Sequence, residues 1–169
     1  ATPVMMLAAL LIVLEDGFPL LYRQERVGVN GRLFNVIKFR SMRRDAEKDG
    51  KPIWAQAKDN RVTRVGQIIR KLRIDELPQL FSVLNGDMSL VGPRPLLMEY
   101  LELYTPDLQR RHHVLPGITG WAQVNGRNTT TWDRRFAMDL WYVDHQSLAL
   151  DLKILFLTLW KVLKREGIL

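Results

Sequence analysis

The chain has 169 residues, enough for one domain with its own core, and 47% hydrophobic against 25% charged residues excludes a disordered segment. It contains no cysteine, which excludes disulfides and thiolate metal sites. A formal net charge of +7 points to an anionic partner, although a solvated surface is the usual fate of such charges, and charge alone leaves nucleic acid, an anionic membrane surface and a phosphorylated substrate all open.

In chain order, Val4 to Leu14 (VMMLAALLIVL) is apolar all round and predicts a helix. At roughly 1.5 Å per residue it reaches about 16 Å, against a hydrocarbon core of about 30 Å, so it does not span a bilayer alone. Thr2-Pro3 is where a longer apolar helix would break, and Val4 to Leu14 is expected to be its second half, with a buried core helix as the alternative. A signal peptide is not expected, since no basic region precedes the run and no small-residue cleavage site follows it. Glu15-Asp16-Gly17 predicts a turn, and Leu20 to Val27 and Leu33 to Phe39 predict a hairpin around Gly28-Val29-Asn30-Gly31. Between Arg23 and Arg73 stand fifteen Lys or Arg against five acids.

Arg43 to Asn60, charged and holding Gly50 and Pro52, predicts a mobile loop or a short helix followed by a loop. Helices are predicted over Arg64 to Leu72, Asp75 to Leu84 (closed by Asn85-Gly86) and Leu96 to Tyr104. Pro116 to Arg127, dense in Gly, Asn and Thr, predicts an ordered loop, and Trp132 to Val143 and Leu148 to Lys164 return to helix. The last of these is apolar at nearly every position, with Trp160 and Lys161, Lys164 and Arg165 near its end, a pattern that suits a membrane interface and also a core-packed terminal helix. The expected architecture is one small α+β domain, mainly helical, with a short hairpin, a truncated re-entrant membrane helix over residues 1–14 and amphipathic interfacial helices within a catalytic region over residues 15–169.

Asp75-Glu76-Leu77-Pro78 carries the most chemical information. With Asp75 as N-cap, Pro78 falls in the first helical turn, where its missing amide costs nothing. The positive end of a helix also favours an ionised carboxylate and attracts phosphate oxygens, and a second adjacent carboxylate suits a divalent cation. Asp carboxylates act as nucleophiles on phosphorus, although most Asp residues at helix starts are caps. Arg70 and Arg73 upstream are expected to share a helix face, and Arg94, held between Pro93 and Pro95, presents a planar fork suited to a diphosphate. Lys38 and Arg40 (KFRS) at the end of the second strand can add cations to the same pocket. His112, His113 and His145 lack metal-ligand spacing, and Trp121, Trp132, Trp141 and Trp160 are expected in the core or as interface anchors.

The ordered set RQERVG, KFRSM, RIDELPQL, NGDMSLVGPRP and PGITGWAQVNGRN, which covers essentially the whole chain, resembles the bacterial sugar transferase family of monotopic phosphoglycosyl transferases. The resemblance implies a re-entrant membrane helix, a Mg²⁺-dependent Asp-Glu dyad and a covalent phosphosugar intermediate. It assigns Asp75 as nucleophile and Glu76 as its partner at the metal, Lys38, Arg70 and Arg94 as basic site residues, and Gln123 to Arg127 to the stretch associated with the nucleotide sugar. The family usually breaks its re-entrant helix at Ser-Pro, where this chain has Thr2-Pro3. The compact length and the run GITGWAQVNGRN resemble the small members that begin glycan assembly for protein glycosylation, which points to an acetamido sugar.

The expectation is therefore transfer of a sugar-1-phosphate from a UDP-sugar to polyprenyl (undecaprenyl) phosphate with release of UMP. The setting is the cytoplasmic face of the bacterial inner membrane, with Mg²⁺ as cofactor and no nucleic acid partner. A basic nucleic-acid-binding module accounts for the charge but not for the apolar ends, and a non-catalytic membrane-surface scaffold leaves Asp75, Arg70 and Arg94 idle.

Overall fold

Apolar residues at almost every position, a proline in the first turn and a glycine behind the last make the first element a helix. In the computed structural model, which describes residues 1–46, 59–126 and 130–164, this helix, α1, spans Thr2–Asp16. Pro3 sits where its missing amide leaves no bond unmade, and Gly17, at φ 66°, ends the helix with its N–H on the Val13 carbonyl. Ala8 and Ile12 are buried, whereas Met6, Leu7, Leu10 and Leu14 are each more than half exposed. The hairpin follows as expected, with β1 at Leu21–Val27, β2 at Leu33–Phe39 and a 3₁₀ turn at Val29–Gly31 between them.

The chain divides into two compact units where the sequence suggests one domain. The first comprises Ala1–Arg23 and Ile37–Pro78 among its described residues, and its core joins Ala8 and Ile12 of α1 to Phe39 of β2 and to Ile69 of α2, which spans Arg64–Lys71. Met5, Leu20, Val65 and Ile74 close around them. The start of α2 accounts for all its free amides. Glu15 accepts from Arg64 N–H and Val65 N–H, both at 2.8 Å, the Thr63 hydroxyl accepts from Gly66 N–H at 2.9 Å, and Thr63 N–H reaches the Ser41 carbonyl at 3.1 Å. A carboxylate at the last turn of α1 thus fixes the first turn of α2. The loop or short helix expected over Arg43 to Asn60 falls, for residues 47–58, outside the described residues.

The second unit holds Gln24–Val36 and Gln79–Gly167. It contains α3 (Gln79–Leu84), β3 (Ser89–Val91), a 3₁₀ segment at Met98–Leu103, α4 (Pro106–Gln109), a 3₁₀ turn at Arg110–His112, β4 (Gly117–Thr119), α5 (Trp121–Asn125), α6 (Trp132–His145) and α7 (Leu148–Lys164). β3 and β4 form a parallel pair, Ser89 opposite Gly117 and Val91 opposite Thr119. The ordered loop expected over Pro116 to Arg127 is instead, in its described part, this strand and a short helix, and the helix expected over Leu96 to Tyr104 is 3₁₀. Two glycines allow the strand pair to form. A Cβ on Gly92 would stand 2.3 Å from the Leu115 carbonyl oxygen, and one on Gly117 would stand 2.1 Å from Gly92 N. Val91, Val124, Tyr142 and Ile154 make one cluster of the core, and Phe34, Val36 and Met88 another.

α7 is apolar on two sides. Ile154 is fully buried, with Leu155 and Leu157 packed on the same cluster, while Leu148, Leu152, Phe156, Leu159 and Leu163 form an exposed stripe. Lys164 Nζ lies 4.7 Å from the Trp160 ring centroid at the end of that helix. Among the described residues no helix is long and apolar enough to cross a membrane.

The double cap at α2 generates a first prediction. Glu15→Ala removes the acceptor for two helix amides in an exposed setting, so it is expected to lower unfolding stability by about 1 kcal/mol, read from thermal or denaturant midpoints. Glu15→Gln, which keeps one acceptor oxygen, is expected to lose less.

Candidate active site

Lys38 precedes Phe39 on β2, and because side chains alternate along a strand, Phe39 enters the α1 core while Lys38 faces the other way. After Lys71 the chain leaves α2 abruptly. Leu72 caps the helix, and Arg73 adopts the left-handed conformation, φ 57° and ψ 19°, which is unfavourable for a side chain with a Cβ by on the order of 1 kcal/mol. This corner turns the chain into a 3₁₀ turn, Ile74–Glu76, whose Ile74 packs on the core while Asp75 and Glu76 are buried. Two sequence expectations are corrected here. Asp75 is not a helix N-cap but the middle of the 3₁₀ turn, since α3 begins only at Gln79, behind Pro78. Arg70 and Arg73 do not share a helix face, because the helix ends between them.

The corner places cations on the acidic pair. Lys38 Nζ donates to Glu76 Oε1 at 2.9 Å, and Arg73 Nη1 stands 3.7 Å from Glu76 Oε2, so each oxygen of Glu76 has a positive neighbour. Asp75 Oδ1 is buried and accepts no hydrogen bond from the protein. Burial and then the neighbouring Glu76 charge push the Asp75 carboxyl above the ordinary carboxylate range, while Lys38, Arg73 and Arg70 pull it back. A buried carboxylate oxygen with no protein donor is a costly feature unless a ligand or ion completes it. Among the described residues no group of three or more His, Asp or Glu is arranged to hold a metal, so a cation here would take two carboxylates and complete its shell from substrate and water. That donor set fits Mg²⁺.

Arg40 does something other than expected. Its guanidinium is buried at the C-terminal end of α1, where it donates to the Asp16 carbonyl at 3.1 Å and the Gly17 carbonyl at 2.6 Å and pairs with the Asp16 carboxylate at 3.2 Å. It caps that helix, and its charge answers the helix dipole. Arg94 and Gln123 belong to the second unit. Arg94 is half-buried in the irregular stretch after β3, and Gln123, on α5, donates through Nε2 to the Ile118 carbonyl at 3.0 Å while its Oε1 is buried without a hydrogen-bond partner. Arg127 lies outside the described residues.

Sequence reasoning missed the buried ion pair of the second unit, Arg111 with Asp139 at 2.7 Å. Arg111 sits in the run Arg110-Arg111-His112-His113, which looks like a solvated basic patch, and its partner is 28 residues away. The only available signal was an aspartate inside the apolar face of the helix at Trp132 to Val143. Next to it, His112 is held mostly neutral: burial first, and then the Arg111 charge, lower its pKa to about 4 against a hydrogen bond to the Gly28 backbone.

The sequence profile of the bacterial sugar transferase family matches residues 1–165. Among similar proteins, an uncharacterized sugar transferase, EpsL, of Bacillus subtilis (strain 168) is 52% identical over 99% of this chain and 82% of its own length. The UDP-N-acetylgalactosamine-undecaprenyl-phosphate N-acetylgalactosaminephosphotransferase of Aeromonas hydrophila is 46% identical over 98% of this chain and 40% of its own length. The undecaprenyl-phosphate glucose phosphotransferase of Komagataeibacter xylinus is 48% identical over 97% and 32%. The chain therefore spans most of the Bacillus relative and less than half of the other two.

Because His112 binds its proton more weakly folded than unfolded, the unfolded state takes up more protons between pH 6.5 and about 4. Stability is expected to fall as pH drops through that interval and to show no further His112 contribution below it. Melting midpoints of the protein and of His112→Gln, compared at pH 7 and pH 5, should show a smaller acid loss in the variant.

Proposed function

The chain belongs to the bacterial sugar transferase family, and from that membership and its acidic pair we propose that it transfers a sugar-1-phosphate from a UDP-sugar to undecaprenyl phosphate. The observation that carries the reading is the buried Asp75 carboxylate, one oxygen of which has no protein partner, beside a Glu76 balanced by Lys38 and Arg73. Such an oxygen is desolvated and unencumbered, which suits attack on phosphorus.

In the proposed reaction Asp75 attacks the phosphorus that carries the sugar, a carboxylate–phosphorus bond forms, and the bond to the UMP oxygen breaks. UMP leaves with the electron pair. An oxygen of undecaprenyl phosphate then attacks the same phosphorus, the bond to Asp75 breaks, and the carboxylate is regenerated with polyprenyl diphosphosugar as product. Asp75 and Glu76 would hold Mg²⁺, which when bound supplies charge neutralisation on the diphosphate. Lys38 balances the charge of Glu76, Arg70 and Arg73 bring positive charge to the donor, and Arg94, Gln123 and Arg127 are proposed to bind it. Arg40 is left out, because its guanidinium is engaged at the end of α1.

The setting is proposed to be the cytoplasmic face of the bacterial inner membrane. Fully burying one Leu side chain is worth about 1.5–3 kcal/mol, so the exposed apolar residues of α1, and separately those of α7, would each supply several kcal/mol toward a bilayer. The donor sugar differs among the relatives, N-acetylgalactosamine in one and glucose in another, so it is a question for a UDP-sugar screen.

Enzyme incubated with its cognate UDP-sugar and Mg²⁺, without lipid, is expected to release about one UMP per chain and to gain the mass of one phosphosugar, read by intact-protein mass spectrometry after rapid acid quench. Asp75→Asn should fold and do neither. UMP that appears only when undecaprenyl phosphate is present, with no adduct, would mean direct transfer and sink the two-step mechanism.

Removal of divalent metal with EDTA is expected to abolish both adduct formation and turnover, and added Mg²⁺ to restore them. Undiminished turnover in excess EDTA would refute the metal assignment.

A further inference from the structure

Pro93-Arg94-Pro95 is a segment poor in means to fix itself. Two of its three residues have no N–H, so it can be held mainly through its carbonyls. All three are held. The Pro93 carbonyl accepts from Gly117 N–H at 3.0 Å, the Arg94 carbonyl from Arg111 Nη2 at 2.8 Å, and the Pro95 carbonyl from Arg26 Nη1 at 3.4 Å. The middle bond comes from the most constrained group. Arg111 is 3% exposed, its Nη2 also donates to Asp139 Oδ2 at 2.7 Å, and its Nη1 donates to the Tyr104 hydroxyl at 2.6 Å. Its guanidinium carbon lies 5.7 Å and 5.6 Å from the Tyr104 and Phe136 ring centroids.

Burying both members of an ion pair offers little stability compared with apolar packing of the same volume, so such a pair is more informative about shape than about stability. Here one side of the pair is rooted in α6 through Asp139, and the other ends on the backbone of Arg94 itself. Burial pushes the Asp139 carboxyl up while the Arg111 charge and hydrogen bond, and after them the Arg135 charge, pull it down, and His112 alongside is mostly neutral.

We infer that the Arg111–Asp139 pair is a positioning device for Arg94, fixing the backbone from which the Arg94 guanidinium reaches the diphosphate of the donor. The inference rests on the reading of Arg94 as a donor-binding residue. Lysine at 111 keeps the charge but cannot join Asp139, Tyr104 and the Arg94 carbonyl through one planar group. The expected effect is on donor binding, not on the chemical step at Asp75.

The test uses the full chain with UDP-sugar and undecaprenyl phosphate, and measures KM for the donor, kcat and the melting midpoint. Arg94→Ala is expected to raise KM at least tenfold, on the order of the loss of one charged anchor. Arg111→Lys and Asp139→Asn should each raise KM by about tenfold with kcat changed less than about twofold. In the Arg94→Ala background the same two substitutions should add nothing, because the group they position is gone. Full multiplication of the two effects in the double variants overturns the inference, as does a lowered melting midpoint with KM unchanged. If Arg111→Lys does not fold, Asp139→Asn carries the cycle, and Arg26→Gln, which frees the Pro95 carbonyl, should show the same non-additivity at smaller amplitude. An unchanged KM in Arg94→Ala alone would instead refute the donor-binding role of Arg94, and the positioning inference with it.

Discussion

Two adjacent carboxylates taken out of water repel each other, and the first unit is organised around making that arrangement tolerable. Asp75 and Glu76 are only 9% and 7% exposed, and removing water from either favours its neutral form. The counter-charges come from three separate places: Lys38 from a strand, Arg70 from the last turn of α2, and Arg73 from the corner that follows it. Only a sharp departure from the helix puts Arg73 beside Glu76 and tucks the pair inward. The backbone strain of a left-handed arginine is the cost, and the fixed ends of α2 over-determine the corner enough to hold it.

The molecule contains a second buried ionic centre built on the opposite plan. Arg111 and Asp139 are matched one to one, and the pair is further tied to a tyrosine hydroxyl and a backbone carbonyl. At the acidic pair, by contrast, two like charges stand side by side and one oxygen of Asp75 is left over, whereas the atom left over at the other centre is Arg111 Nε. Paired opposite charges hold shape, and adjacent like charges call for a cation.

Long signals were legible in the sequence. The apolar run of α1, the alternating strands of the hairpin, and the periodic helices α2, α6 and α7 all extend over enough residues for burial to dictate their form. The acidic pair Asp75 and Glu76 with cations around it was also visible, because adjacent acids before a proline amid arginines are unusual. The local geometry there was not. Nothing in an arginine announces a left-handed conformation that normally selects glycine or asparagine, so Arg70 and Arg73 looked like neighbours on one helix and Asp75 like its successor's cap. The β3–β4 pair was hidden for a related reason: the glycines that let two backbones touch at Gly92 and Gly117 are also what makes a loop look like a loop. Arg40 and Arg111 were indistinguishable from surface charge, since burial of a cation depends on carbonyls and carboxylates far away in the chain.

α1 has two roles that are normally kept apart. Its buried residues Ala8 and Ile12 share a core with Ile74, the residue that opens the acidic turn, and Glu15 at its last turn grips the helix that leads into that turn. Its residues Met6, Leu7, Leu10 and Leu14 are each more than half exposed. In the proposed membrane setting, the helix that floats the protein would be geared to the carboxylate proposed to react. The immersion depth of α1 would then set the height of Asp75 above the acyl chains, and a carrier phosphate confined to the headgroup layer would meet the proposed nucleophile only at one draught.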